Sequence, residues 1–317
     1  MTGTGLGIGM SLPATGEDIP PIPAMAQFAE AAGFDSVWAG DHLADGRPLL
    51  ECTLTLAAAA VATSRVAVGC GVLQLALRQP VWAARQISTL AYLAGGRLIL
   101  GVGTGGSVPA EWQAAGVPLN GRGGRTDHLL TVLPDLLAGK PIPIAALVPP
   151  AGNASSAPAE EARVTLTPPV TMPPLWIGGG PGRALRRAAE LGDAWLAAAT
   201  PPAELAAAGR RLAELASDHG RATPAVAVVI IAAGVRARDA QARRDLAAFL
   251  STRLGLPADV ASRAAVAGGP EAIADQLGEY AGAGVRHVVL APFGPNWQQQ
   301  AGIFAEARDR LRPDGRW

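Results

Sequence analysis

Residues 175–195 read LWIGGGPGRALRRAAELGDAW, and this stretch decides the fold. A short apolar run from Leu175 breaks at Gly178-Gly179-Gly180-Pro181-Gly182. Arg183–Leu191 then restores apolar residues at helical spacing, and Gly192-Asp193 leads into a second apolar run, Ala194–Ala199. Two strands joined by one crossing helix lie parallel. The loop's successive N–H groups meet the positive end of that helix, which suits an anionic phosphate.

Working outward, the same unit recurs at roughly 30 residues per repeat. Apolar runs at Gly5–Met10, Ser36–Gly40, Val66–Leu73, Leu98–Val102, Ala225–Ala233 and His287–Ala291 join the two already described, making eight short strands apolar on both faces. Between them the spacing predicts helices over Ile22–Ala32, Leu49–Thr63, Val81–Leu93, Arg125–Leu137, Ala203–Asp218, Ala237–Leu254 and Pro270–Ala283. Eight such units close into an α/β fold, a (β/α)8 TIM barrel, expected here as one domain over residues 1–317. An open doubly wound sheet competes, but it calls for fewer strands or a second domain behind a linker. Residues 140–173 interrupt the rhythm with a proline-rich run containing AGNASSAPAEEA, read as an inserted loop or lid and not as core.

Composition narrows the function. Twenty-six basic residues balance twenty-six acidic ones, and Lys140 is the one lysine, so no basic face for nucleic acid is expected. Cys52 and Cys70 show no pairing pattern, Met1 opens onto a glycine-rich strand, and no apolar run is long enough to span a membrane. A cytoplasmic protein without bound metal is expected.

In a barrel the working groups follow the strands' C-terminal ends. Strand two ends on Asp41-His42, where an imidazole beside a carboxylate can exchange a proton near neutral pH. A merely solvated or capping His is the bland alternative. His128, on a helix, His219, by a turn, and His287, opening the last strand, are weaker candidates. Strand four runs into Gly103-Thr104-Gly105-Gly106, and Gly101, Gly103 and Gly106 match the dinucleotide pattern G-x-G-x-x-G. Ser107-Val108-Pro109 follows where that motif needs a helix, and no acidic residue ends a second strand some twenty positions on, so the motif fails on context. What remains is a glycine-lined surface that a flat ring could approach, or tight packing at the rim. Glu111 has usable chemistry, but a carboxylate in an early helical turn is often only a dipole or cap contact.

Five segments in order carry a family resemblance: SVWAGDH (36–42); RLILGVGTG (97–105) with Glu111; Gly116-Val117-Pro118 with Arg122–Arg125; PLWIGGGPGRALRRAAELGDAW (174–195); and GPEAIADQLGEYAGAGVRHVVL (269–290). Together they resemble the luciferase-like flavin and deazaflavin oxidoreductases. The resemblance implies a barrel with a central insertion, often a homodimer, that binds FMN or the deazaflavin F420. The Asp-His pair and the Gly-Val-Gly-Thr-Gly run are more similar to the F420-dependent branch.

The resemblance implies a role for each residue. Asp41 and His42 lie near the ring, with His42 as the proton partner. Gly71-Val72 resembles the site of a non-prolyl cis peptide that braces it. Thr104 and Gly105 border the cofactor, Gly178, Gly179 and Gly180 hold its phosphate, and Arg183 contacts that phosphate. The implied chemistry is hydride transfer between F420 and an organic substrate. The family's sugar-phosphate dehydrogenases carry a Glu where this chain has Gly106, a Trp where it has Gly46, and lysines that grip the phosphate. Their substrate is therefore not expected. A roomier pocket for a bulky ketone, imine, enone or pterin-like molecule is. An FMN-dependent monooxygenase is the alternative, and a non-catalytic barrel a third reading.

Overall fold

The computed structural model describes residues 5–16, 19–106, 108–147, 162–236 and 240–311. Eight parallel strands form its centre. They are β1 (Gly7–Ser11), β2 (Ser36–Ala39), β3 (Ala67–Cys70), β4 (Leu98–Gly103), β5 (Leu175–Gly178), β6 (Ala194–Ala198), β7 (Ala225–Gly234) and β8 (Val285–Pro292). Each pairs with the next in chain order, and β8 pairs back onto β1, so the sheet closes into the expected barrel. Short strands Leu73–Gln74 and Val266–Gly268 add to β4 and β7 at its edge.

Helices α1 (Ile22–Ala31), α2 (Cys52–Ala62), α3 (Pro80–Ala94), α4 (Pro109–Ala114), α5 (Arg122–Leu137) and α6 (Arg183–Leu191) cover the first half. They are followed by α7 (Pro202–Asp218), α8 (Ala240–Leu254), α9 (Ala258–Ala264), α10 (Pro270–Gly282) and α11 (Trp297–Leu311). Several bounds differ from the sequence expectation. Glu51 caps α2 through Leu54 N, so Leu49–Glu51 stay outside it. The third strand is cut at Gly71, α5 begins three residues earlier, and α9 and α11 were not expected. Residues 237–239, where one helix was expected to start, lie outside the described residues.

The insertion departs from a pure loop. Ile142–Pro143 pairs antiparallel with Arg163–Val164, and Leu147 and Leu166 are buried in the main core. Apolar side chains at both ends of the proline-rich run have barrel surface to cover, which anchors them. Its middle, including residues 151–161 of the AGNASSAPAEEA run, lies outside the described residues.

The barrel interior near the strands' N-terminal ends is filled by Trp38, Trp176 and His287, with ring centroids 5.1 Å apart for the two tryptophans and 5.3 Å for Trp176 and His287. Gly69 faces Trp38 so closely that a Cβ there would lie 2.4 Å from the ring. Trp38 Nε1 donates to Ser36 Oγ at 2.7 Å, and Ser36 Oγ lies 2.8 Å from His287 Nε2. His287 thus sits inside the barrel, away from the end where the catalytic candidates lie.

On the outside, Glu30 of α1 accepts from Ser64, Arg65 and Val66 N at 3.0, 2.7 and 2.9 Å, tying α1 to the turn before β3. Partial burial pushes this carboxyl up, but the three N–H bonds outweigh it and bring it down to about 2. A folded-state value below the unfolded one gives stability that is complete above pH 4.5 and lost as pH falls toward 2. Glu30→Gln is expected to lower Tm at neutral pH by a few degrees and to flatten the acid limb of a Tm-against-pH curve. An unchanged acid limb would contradict this.

Candidate active site

Asp41-His42, Gly71-Val72, Thr104-Gly105 and Gly178-Gly179-Gly180 follow β2, β3, β4 and β5, four neighbours in the ring, at one end of the barrel. Contacts join them into one surface. The Gly71-Val72 peptide bond is cis. Val72 then packs where side chains on its neighbours would stand: a Cβ at Gly103 would lie 2.3 Å from Val72 Cγ2, and one at Gly178 would lie 2.5 Å from Val72 Cγ1. A Cβ at Gly101 would meet the carbonyl oxygen of Cys70 at 1.9 Å. Gly105, at φ +58, holds Gln74 against its backbone, and Gly106, at φ +105, holds Arg122. The room left by these strand-four glycines is filled by protein atoms, which is the tight-packing reading of that run.

Asp41 is buried, and its carboxylate is fully engaged. Gln74 N donates to Oδ2 at 2.8 Å, and the Arg78 guanidinium donates to Oδ2 at 2.5 Å and Oδ1 at 2.9 Å. Arg78 also reaches Glu51 Oε1 at 3.1 Å. Burial disfavours the charge on Arg78, but the two carboxylates outweigh it and hold the guanidinium firmly charged. Asp41 therefore fixes the loop that presents His42, rather than facing the mouth with a free carboxylate. Arg78→Met would leave that carboxylate buried and unpaired, and is expected to cost about 3–5 kcal/mol of stability in denaturant unfolding. A loss below about 1 kcal/mol, the size of an exposed pair, would show Asp41 to be adequately solvated without it.

His42 is partly exposed, with 38% of its side chain accessible, and its Nδ1 lies 3.1 Å from Glu111 Oε1. Glu111 is wholly buried under the His42 loop. Its Oε1 also accepts from Leu43 N at 2.7 Å and Ala44 N at 3.0 Å. An oxygen already accepting two N–H bonds makes Nδ1 the donor, which assigns the Nδ1–H tautomer and leaves Nε2 with its lone pair. Nε2 has no hydrogen-bond partner among the described residues. Sequence reasoning weighed Glu111 as a cap contact and missed this pairing, since 69 positions separate the two residues.

At the same end of the barrel lies a pocket of about 430 Å³, lined by Thr104, Gly178–Gly180, Arg183 and the first turn of α5. His42 is not part of its wall; the two are linked through β3 and β4. Gly179 N is 3.4 Å from Leu196 O, a long bond, while Gly180 N donates to no protein acceptor among the described residues. Gly182 precedes α6 without a side-chain cap, and the first intrahelical bond is Arg186 N to Gly182 O. The N–H groups of residues 183–185 are therefore left for another acceptor. Arg183 is exposed and makes no ion pair among the described residues.

The family profile of the luciferase-like monooxygenases matches residues 6–256. The chain belongs to this family. Members are oxidoreductases or monooxygenases that depend on F420 or a flavin. An uncharacterized protein of Mycobacterium tuberculosis (strain ATCC 25618 / H37Rv) is 31% identical over 221 residues, 63% of this chain and 73% of that protein. An F420-dependent glucose-6-phosphate dehydrogenase of Beutenbergia cavernae is 32% identical over 58% of this chain and 54% of its own. Among solved structures, an F420-dependent secondary alcohol dehydrogenase in complex with an F420-acetone adduct superposes with a TM-score of 0.79 at 21% identity, covering 97% of this chain and 99% of that one. That likeness shows the shared fold. Luciferase-like membership thus places this chain with the deazaflavin- or flavin-dependent oxidoreductases.

Proposed function

We propose that this luciferase-like protein is an F420-dependent oxidoreductase, one barrel domain acting on a bulky ketone, imine, enone or pterin-like substrate. The observation that carries this reading is the Glu111-oriented His42 at the same barrel mouth as a glycine-lined anion pocket. The pocket fits a phosphate-tailed ring cofactor: Gly180 and the uncapped first turn of α6 offer N–H groups to a phosphate, and Arg183 adds a cation. Thr104 borders the same space, with Gly105 behind it and Gly71-Val72 between the pocket and the His42 loop. The reduced deazaflavin supplies the hydride when bound. Buried Glu111 holds Nδ1–H, so Nε2 takes a proton from the substrate hydroxyl in one direction and returns it to the carbonyl oxygen in the other. Asp41 and Arg78 keep the loop that carries His42 in place.

The positions that mark the family's sugar-phosphate dehydrogenases are changed in this chain. Lys140 is paired with Asp135 at 2.7 Å, Arg122 occupies the space beside Gly106, and Gly46 faces open space. The test is anaerobic oxidation of reduced F420 with a panel of ketones, imines and enones, and with glucose 6-phosphate run in the opposite direction. Turnover with a carbonyl compound supports the proposal. Turnover confined to the sugar phosphate overturns the substrate class. Activity that requires oxygen and reduced FMN overturns the cofactor.

The helices α2 and α3 pack side by side and leave Leu54, Val61, Trp82 and Tyr92 exposed. Such a surface fits a homodimer interface. Sedimentation is expected to give twice the chain mass of 32.1 kDa, and a monomer for Leu54→Asp with Trp82→Asp. A monomeric parent protein would contradict this. Among the described residues, no helix is long and apolar enough to cross a membrane, and we assign the protein to the cytoplasm.

A further inference from the structure

The anion pocket is built for more charge than one phosphate brings. Among the described residues its wall carries Arg122, Arg183 and Arg187 and no carboxylate. Two helices open into it, not one. Besides α6, the first turn of α5 faces the space, and this turn is almost bare backbone, Gly121-Arg122-Gly123-Gly124. Gly121, at φ +77, provides no side-chain cap, and the first intrahelical bond is Arg125 N to Gly121 O. Residues 122–124 therefore keep their N–H groups free of intrahelical acceptors, where Ser, Thr, Asp or Asn would ordinarily cap them.

A second, independent observation comes from Arg187 of α6. Its side chain is only 9% exposed, yet it spends one nitrogen on protein, Nε to Asp127 Oδ1 at 2.5 Å. Its Nη atoms donate to no protein acceptor among the described residues, line the pocket wall, and reach to 3.8 Å from where a Cβ of Gly123 would stand. A buried guanidinium half-satisfied by protein is completed by an anion in the space it faces. The surroundings are electropositive: burial and the nearby charge of Arg122 both lower the affinity of Arg125 for its proton.

The geometry points to a second anion seat, on the first turn of α5 with Arg122 and Arg187, next to the phosphate seat on Gly180 and α6. Its ligand is a carboxylate of the γ-glutamyl tail that deazaflavin carries beyond its phosphate. This rests on the F420 reading and sharpens it, because a flavin mononucleotide ends at the phosphate and leaves the second seat empty.

The test compares binding, by fluorescence titration, of two deazaflavin probes: one bearing several γ-glutamyl residues and one ending at the phospholactyl group. The wild-type protein is expected to bind the glutamylated form about tenfold tighter, a gap of about 1.4 kcal/mol. That gap should close as salt rises. In Arg187→Gln and Arg122→Gln the two probes are expected to bind alike, with the affinity for the tail-less form retained. Gly124→Glu, whose new Cβ meets open space, should reverse the preference. Arg122→Gln and Gly124→Glu act at the surface, so they decide the matter if Arg187→Gln does not fold. Equal affinity of the wild-type protein for both probes would overturn the second seat while the cofactor assignment stands. Failure of both probes to bind would overturn the two together.

Discussion

Replacing His42 by Ala is expected to lower kcat by about 10²- to 10⁴-fold while cofactor affinity stays within about threefold, a change worth less than 1 kcal/mol. Oriented by Glu111 through Nδ1, His42 offers Nε2 as the proton partner at the barrel mouth. Glu111→Gln keeps the volume and an acceptor oxygen for Leu43 N, Ala44 N and His42 Nδ1, but removes the negative charge that stabilises the imidazolium formed when Nε2 takes a proton. Its kcat is expected to fall by about 10-fold or more, and the double variant should be no slower than His42→Ala, because residues acting as one unit are not additive. Turnover unaffected by His42→Ala at saturating cofactor would reduce His42 to a rim residue.

Gly180→Asp is expected to weaken cofactor binding by about a hundredfold, near 2.7 kcal/mol, with Tm unchanged. A Cβ at Gly180 meets nothing within 4 Å, so the substitution adds a carboxylate to the pocket without crowding the fold. The new charge lies beside the phosphate seat, where like charges repel at short range. Added salt should recover part of the loss, whereas a steric block would not respond. Gly180→Ala serves as control and is expected to bind within about threefold of the parent protein, under 1 kcal/mol. Unchanged binding by Gly180→Asp would place the phosphate elsewhere.

The barrel was legible because its evidence is local. Each strand is a short apolar run, each helix shows its own spacing, and Gly178–Gly182 joins one to the next within a few residues. Even α11, which the strand count passed over, repeats buried Trp297, Ala301, Phe304 and Ala307 at helical spacing. Candidate positions were legible for a similar reason, since a parallel barrel puts every strand end at one mouth. What those positions do was not. Asp41 is consumed by Arg78, 37 positions away, and Glu111 meets His42 across 69, so only the closed ring reveals either pair. The glycines of strand four read equally as a cofactor surface or as packing until Val72, Gln74 and Arg122 are seen to fill the space. Leu147 and Leu166 were hidden for a different reason: prolines set the composition of the insertion, while two leucines at its ends decide where it is anchored.

Titration of the purified protein with F420 and, separately, with FMN, followed by fluorescence at matched concentrations, tests the central claim most directly. Saturable binding of F420 in the micromolar range, about −8 kcal/mol, at least tenfold tighter than FMN and weakened by Gly180→Asp, is the predicted result. Micromolar binding of FMN with no binding of F420 would contradict it.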